Sequence, residues 1–436
     1  MNGSRATRLP TILISVAVAP YVEYVNYANP AGGPRIPIVN YLYNQAAINQ
    51  ARPQLDLVPV MLENFASLVG PYPFAKEKYG HCLVPTFPGA ALENQTMTTL
   101  GSFEDPLLLA HELFHQWFGN SVTCASWEDM WLNEGFADYG AYLTAEAIAP
   151  ADARILLSEV NAFVLPEPDG SMRVADTLNA ERIFDQRLSY KKGALVVHML
   201  RYSLNDDAKF FRALRTYQRT YAGRTARTRD LQRVFEAEAG RSLQPFFDQW
   251  YAGEGYPTFN VRWNQAGNTL YLQSTETVSA PAVTPFFATD VDYQLTYADG
   301  TRQTVRLRQS QLVSGFSVPV TGPVTGLVVD PNQWILNGEG TIVRDNTLVL
   351  GPRSSAPVAR LSVYPVPCRE YLQLADLPPA RAGQAEVMDA TGRVVLRQVV
   401  GAGHERLDTR GLRAGIYHLR LTDAQGQVSQ ARFARE

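Results

Sequence analysis

A chain of 436 residues with 46% hydrophobic and 19% charged side chains has the composition of an ordinary folded protein, long enough for two to four domains. A formal net charge of −3 leaves no basic field for a phosphate backbone, which argues against a nucleic-acid partner. No stretch approaches the roughly 20 apolar residues that span a bilayer, so no transmembrane segment is expected.

Thr11 to Pro20 follows two arginines in the manner of a short export signal, but Ser15 and Pro20 interrupt it and no small-residue cleavage site follows cleanly. Residues 9 to 43 read as two strands around the turn Asn29 to Gly33, and two strands bury no core alone, so they belong to a larger sheet. From Gln45 to Tyr251 apolar residues recur at three- and four-residue spacing, predicting helices over 57–68, 107–118, 133–147, 193–204 and 231–239, with a strand edge through Leu92 to Leu100. After Gly253 to Pro257 the period changes to two, as in Phe259 to Trp263 and Tyr293 to Tyr297, and a β-sandwich is expected. Residues 346–360, loose and rich in Gly, Pro and Ser, read as a linker, and 361–436 as a second small β module. Cys82, Cys124 and Cys368 lack the spacing of a zinc ribbon or disulfide framework and read as free thiols.

The most informative segment is His111-Glu112-Leu113-Phe114-His115. Residues four apart on a helix share a face, so His111 and His115 can meet one Zn²⁺ while Glu112 lies beside the water to be activated. A catalytic zinc needs a third protein ligand and one open position, and Glu134, at the start of the next helix, supplies that ligand. Asp138, one turn further on, either accepts a hydrogen bond from a ligating imidazole or faces solvent.

These residues resemble the gluzincin aminopeptidases, the family that includes aminopeptidase N and leukotriene hydrolase. The resemblance rests on HELFHQWFGNSVT (His111 to Thr123) and WEDMWLNEGFADY (Trp127 to Tyr139), with Gly70 to Phe74, Lys76 to Tyr79 and Phe246 to Tyr251 around them, and covers about residues 10 to 340. It implies a multidomain α+β chain: remnant strands of an N-terminal β-saddle domain (1–44), a thermolysin-like, mainly helical catalytic domain (45–255) and a β-sandwich (256–345). Ala90 to Asn94 (AALEN) occupies the place of the family's GxMEN motif, with Ala and Leu for Gly and Met. Glu93 is thereby the implied anchor of the substrate amine, and Ala91 and Asn94 are implied substrate-binding positions. Tyr190, in Ser189 to Ala194, matches the family's YxKGA and is the implied oxyanion donor, whereas Tyr139 and Tyr142 fit helix packing.

The implied activity is that of a zinc-dependent aminopeptidase acting on peptides with a free N-terminus, with Glu112 and Tyr190 as catalytic residues. The alternatives are an endopeptidase of the same fold and a truncated, inactive cell-surface binding protein. Only the last strands of the saddle domain are present, so the chain is expected to be truncated or mis-started and its cleft more open. Residues 361–436 resemble the sorting domain read by the type IX secretion machinery, on Leu361 to Pro367, Val387 to Val395 and Leu412 to Tyr417. That implies a secreted or cell-surface protein, the alternative being a carbohydrate-binding or adhesion module.

Overall fold

The computed structural model describes residues 15–86, 91–348, 359–374, 383–389, 393–401, 406–423 and 428–436. Ala90, at the head of the AALEN segment, and most of the expected linker lie outside them. Two compact units are present, 1–348 and 349–436.

The first unit begins with strands β1 (Val22–Ala28) and β2 (Ile36–Leu42), antiparallel around the Pro-Gly turn. β2 alternates: Ile36, Ile38 and Leu42 are buried, as is Asn40, whose side chain bonds to the Tyr24 carbonyl and to His81 Nδ1. The sheet is completed by β3 (Tyr79–Leu83), β4 (Ala91–Leu92) and β5 (Thr98–Leu100) in the order β1-β2-β3-β5-β4. The expected strand edge is thus a short hairpin, and β4 forms the rim of the sheet beside Glu93.

Helices α1 (Gln45–Leu55) and α2 (Val58–Val69) follow β2, and α2 buries Met61, Leu62, Phe65 and Val69 on one face. Helix α3 (Pro106–Phe114) starts at Asp105, whose carboxylate accepts the Leu107 amide, with Pro106 in the first turn, where its missing N–H costs nothing. It is shorter than expected. The amides of Gln116 and Trp117 bond three residues back, to Leu113 and Phe114, tightening the last turn before the chain reverses at Gly119 (φ +135°).

The short strand β6 (Val122–Cys124) and a 3₁₀ turn (Trp127–Leu132) lead into α4 (Glu134–Ile148) and α5 (Pro150–Val164). After α6 (Ala180–Ile183) comes a π-helical turn, Gln186–Lys192, running directly into α7 (Gly193–Leu204). Helix α8 (Asp207–Tyr221), strand β7 (Arg224–Ala226, parallel to β6), α9 (Thr228–Ala239) and α10 (Gln244–Phe247) close the helical body. The Trp127 to Tyr139 segment is anchored to this end of the body. Buried Asp129 accepts hydrogen bonds from the Thr228 hydroxyl and the Tyr251 hydroxyl, and Trp131 Nε1 donates to Thr228.

The expected sandwich follows as two sheets, β11-β10-β13 and β12-β9-β8-β14. Their strands are β8 (Pro257–Ala266), β9 (Thr269–Val278), β10 (Thr289–Tyr297), β11 (Arg302–Gln309), β12 (Val313–Pro319), β13 (Val324–Val329) and β14 (Ile342–Arg344). Its inward residues, among them Phe259, Val261, Leu272 and Leu295, share one hydrophobic core with the helices. Polar contacts reinforce the junction: the Tyr202 hydroxyl of α7 donates to Asp292, and Trp334 stacks on His198 of α7 at 4.4 Å between ring centroids.

The second unit has a core of its own, including Leu372, Leu374, Val387, Leu407, Leu419 and Phe433. One sheet runs β15-β22-β21-β18-β19, from β15 (Ala359–Arg360), β18 (Gly383–Met388), β19 (Val394–Val400), β21 (Gly415–Asp423) and β22 (Val428–Arg435). The other runs β16-β17-β20, from β16 (Val363–Tyr364), β17 (Tyr371–Leu374) and β20 (Arg406–Asp408). The three cysteines are free thiols, and among the described residues no helix is long and apolar enough to cross a membrane.

Candidate metal centre

The end of α3 and the start of α4 bring three ligand atoms together. His111 Nε2 lies 3.0 Å from His115 Nε2, and Glu134 Oε2 lies 3.5 Å from the first and 3.3 Å from the second. A tetrahedral ion with bonds of about 2.0 Å spaces its ligand atoms by about 3.3 Å, so this triangle fits zinc.

The protons of the two imidazoles sit on the far side of each ring. His111 Nδ1 donates to Asp138 Oδ1 at 2.8 Å, and His115 Nδ1 donates to the Phe118 carbonyl at 3.0 Å. Both Nε2 lone pairs therefore face Glu134, and three acceptor atoms gathered in a buried cluster call for a cation. The local electrostatics ask for the same thing. Burial disfavours charge on His115, yet Glu134 beside it pulls it up to about 9. His111 is drawn well above its ordinary range, against burial, by Asp138 and Glu134. Glu134, despite burial, is drawn down to about 2 by His115 and His111. A divalent ion meets this demand with one charged group in place of two protons.

Glu112 follows His111 on α3, almost fully buried, with Oε2 lacking any hydrogen-bond partner. Burial lifts it to about 7, although His111 and His115 pull the other way. Asp138 accepts from Lys191 Nζ at 2.9 Å through the oxygen not used by His111, so both of its oxygens are engaged within the protein. Burial works against its charge, but His111 and Lys191 hold it below the usual carboxylate range.

Tyr190 sits within the π-helical turn, ahead of α7 rather than in its first turn, its ring parallel to that of His111 at 6.0 Å. Burial, then the charges of Glu134 and Glu93, push its hydroxyl far up, so it remains a donor. Its approach depends on two glycines. A Cβ on Gly135 would lie 2.8 Å from the Gly193 Cα, and one on Gly193 would lie 2.8 Å from the Gly135 Cα, so α4 and α7 meet there backbone to backbone.

Glu93 and Ala91 line the same cavity, of about 1000 Å³, as the three ligand residues, Glu112 and Tyr190. The hairpin carrying Glu93 is tied to the turn after α3: Asn120 Nδ2 donates to the Glu93 carbonyl at 2.7 Å, and the Thr96 amide donates to Gln116 Oε1 at 2.9 Å. Asn94 departs from the expectation for it. It is buried, it does not line the cavity, and its Oδ1 accepts the Thr99 hydroxyl at 2.8 Å, so it shapes the hairpin instead. Leu108, Met130, Tyr142, Leu157 and Leu195 form an apolar wall of the cavity. Gln116, Lys191 and the Phe118 carbonyl were not singled out from sequence; they lie within the quoted motif segments, but their partners lie across turns or on other elements.

Residues 54–250 match the Peptidase family M1 domain. The matched stretch includes His111, His115, Glu134, Glu112, Glu93 and Tyr190. Residues 362–433 match the secretion system C-terminal sorting domain, which indicates secretion or placement at the cell surface. Aminopeptidase M1-B of Oryza sativa subsp. japonica is 32% identical over 256 residues, 53% of this chain and 28% of that protein. Aminopeptidase N of Lactococcus lactis subsp. lactis is 32% identical over 204 residues, 42% of this chain and 24% of that protein. The chain therefore spans less than a third of the length of these relatives. The crystal structure of Legionella pneumophila aminopeptidase A in complex with aspartic acid shares the fold, with a TM-score of 0.63 over 76% of this chain and 39% of that one, at 15% identity.

Proposed function

We propose that the chain is a zinc-dependent aminopeptidase that removes N-terminal residues from peptides. The observation carrying this reading is the buried, acceptor-only triangle of His111, His115 and Glu134, opening on one cavity with Glu112, Glu93 and Tyr190. Zinc held there supplies Lewis acidity, polarising a peptide carbonyl and bringing the pKa of water toward neutrality.

The protein's own residues do the rest. Glu112 takes the proton of the attacking water and delivers it to the leaving amine, and its buried Oε2, free of other hydrogen-bond partners, is available for both transfers. The Tyr190 hydroxyl donates to the carbonyl oxygen as negative charge develops on it. Glu93 offers the substrate ammonium a charge-assisted partner that an internal peptide bond lacks, which favours exopeptidase over endopeptidase action. Asp138 and the Phe118 carbonyl keep each imidazole in the ligating tautomer. The named aminopeptidases among the relatives support the same reading, and the sorting-domain match supports the type IX machinery as the route of export.

The test is hydrolysis of an aminoacyl anilide by protein of measured zinc content. One zinc per chain, activity lost to a chelator and N-acetylated substrates refused are the expected results. Equal cleavage of acetylated peptides would make it an endopeptidase, and absence of zinc would leave only a binding protein.

A further inference from the structure

Asp138 is shared by two partners. Through Oδ1 it accepts from the ligand His111 on α3, and through Oδ2 from Lys191, the residue immediately after Tyr190 on the π-helical turn. One carboxylate on α4 thus joins the element that holds the metal to the element that carries the hydroxyl donor. On α4, Asp138 lies one turn beyond Gly135, on the same face. Gly135 touches the backbone of Gly193, two residues after Lys191. The turn is therefore tied to α4 by a backbone contact at Gly193 and by an ion pair at Lys191, which together restrict how it can swing on α4. A π turn carries an extra residue per turn and has weaker internal bonding than α-helix, so an outside fastening matters more here than elsewhere.

We propose that Lys191 is a positioning residue for Tyr190, its ion pair with Asp138 setting the spacing between the hydroxyl donor and the His111 side of the metal centre. This rests on the aminopeptidase reading above and on the role given there to Tyr190. Asp138 is largely buried while the Lys191 side chain is about one-third exposed, so the pair adds little to global stability and its effect falls on alignment.

The experiment uses the full chain, with Lys191→Met, Lys191→Arg, Tyr190→Phe and the double variant Tyr190→Phe/Lys191→Met. Lys191→Met should lower kcat roughly 10-fold with KM nearly unchanged, keep one zinc per chain and melt within a few degrees of the parent. Lys191→Arg should recover most of kcat. In the Tyr190→Phe background, Lys191→Met should cost nothing further. In metal-free protein, Lys191→Met should speed amide exchange across 186–192 about 10-fold while the middle of α7 is unchanged. A Lys191→Met enzyme with parental kcat, or a loss that persists undiminished in the Tyr190→Phe background, overturns the proposal. If Tyr190→Phe itself is fully active, it is the function assigned to Tyr190 that fails.

Discussion

The cavity has two unlike sides. On the metal side, His111, His115 and Glu134 come from adjoining helices, are nearly inaccessible to solvent, and both imidazoles have their outer nitrogen partnered. On the hairpin side, Glu93 is half-buried at the rim of a sheet, just past a strand of only two residues, and its position depends on Asn120 and Gln116 reaching across from the turn after α3. On the proposed reading, chemistry would be built on packed helices, and recognition of a substrate amine would rest on a short hairpin held by a few hydrogen bonds. Damage to the first side should abolish turnover, whereas damage to the second should weaken substrate binding by degrees.

The largest effect is expected at the ligands. His115→Ala should reduce bound zinc to a small fraction and activity at least 1000-fold, as elemental analysis and a peptidase assay would show. Glu112→Gln should keep zinc and still lower kcat by roughly 1000-fold; a variant with near-parental turnover would remove Glu112 from the mechanism. Glu93→Gln should lower kcat/KM for free-amine substrates by about 10- to 100-fold, with zinc content unchanged. Asn120→Ala should raise KM several-fold by releasing the Glu93 carbonyl. Should it cost as much as Glu112→Gln, the contrast between the two sides collapses.

The smallest effect on activity is expected in the sandwich. Glu276 of β9 accepts the Phe287 amide at 2.7 Å through one oxygen and leaves the other buried without a partner, and burial lifts its carboxyl to about 7. A folded-state pKa above the unfolded value of an acid means that the folded protein binds the proton more tightly. The resulting stability is complete below the ordinary carboxylate pKa and is lost as pH rises through about 7. Glu276→Gln should therefore flatten the pH dependence of unfolding between pH 5 and 8 and stabilise the protein at pH 8 by roughly 1–3 kcal/mol, leaving turnover alone. Chemical denaturation across that range measures it.

The candidate metal-binding triad was visible in the sequence because its geometry is local. A four-residue spacing on one helix places His111 with His115, and Glu134 opens the next helix. Asp138 needed the fold to decide between its two readings, since its Lys191 partner is 53 residues away. The π-helical turn under Tyr190 has no hydrophobic period of its own to announce it, and α3 continued apolar past Phe114 although the chain had already begun to turn. Helix α5 was missed because Ile155 and Phe163 are exposed while Ala153, Leu157 and Val164 are buried, which blurs its amphipathic stripe. Asn94 stood out through the motif it shares with Glu93, but its side chain is buried and bonds to the Thr99 hydroxyl, a partner that only the fold reveals.

The stacking of Trp334 on His198, with Tyr202 bonded to Asp292, bears on how the protein is to be divided for laboratory work. A fragment cut after residue 255, at the end of the helices, would leave the back of α7 facing water, and α7 is the helix that the Tyr190 turn feeds. Such a fragment should aggregate or lose catalytic alignment even with all its zinc ligands present. The smallest portion expected to behave as an independent enzyme carries the sandwich with it and runs on to Leu348.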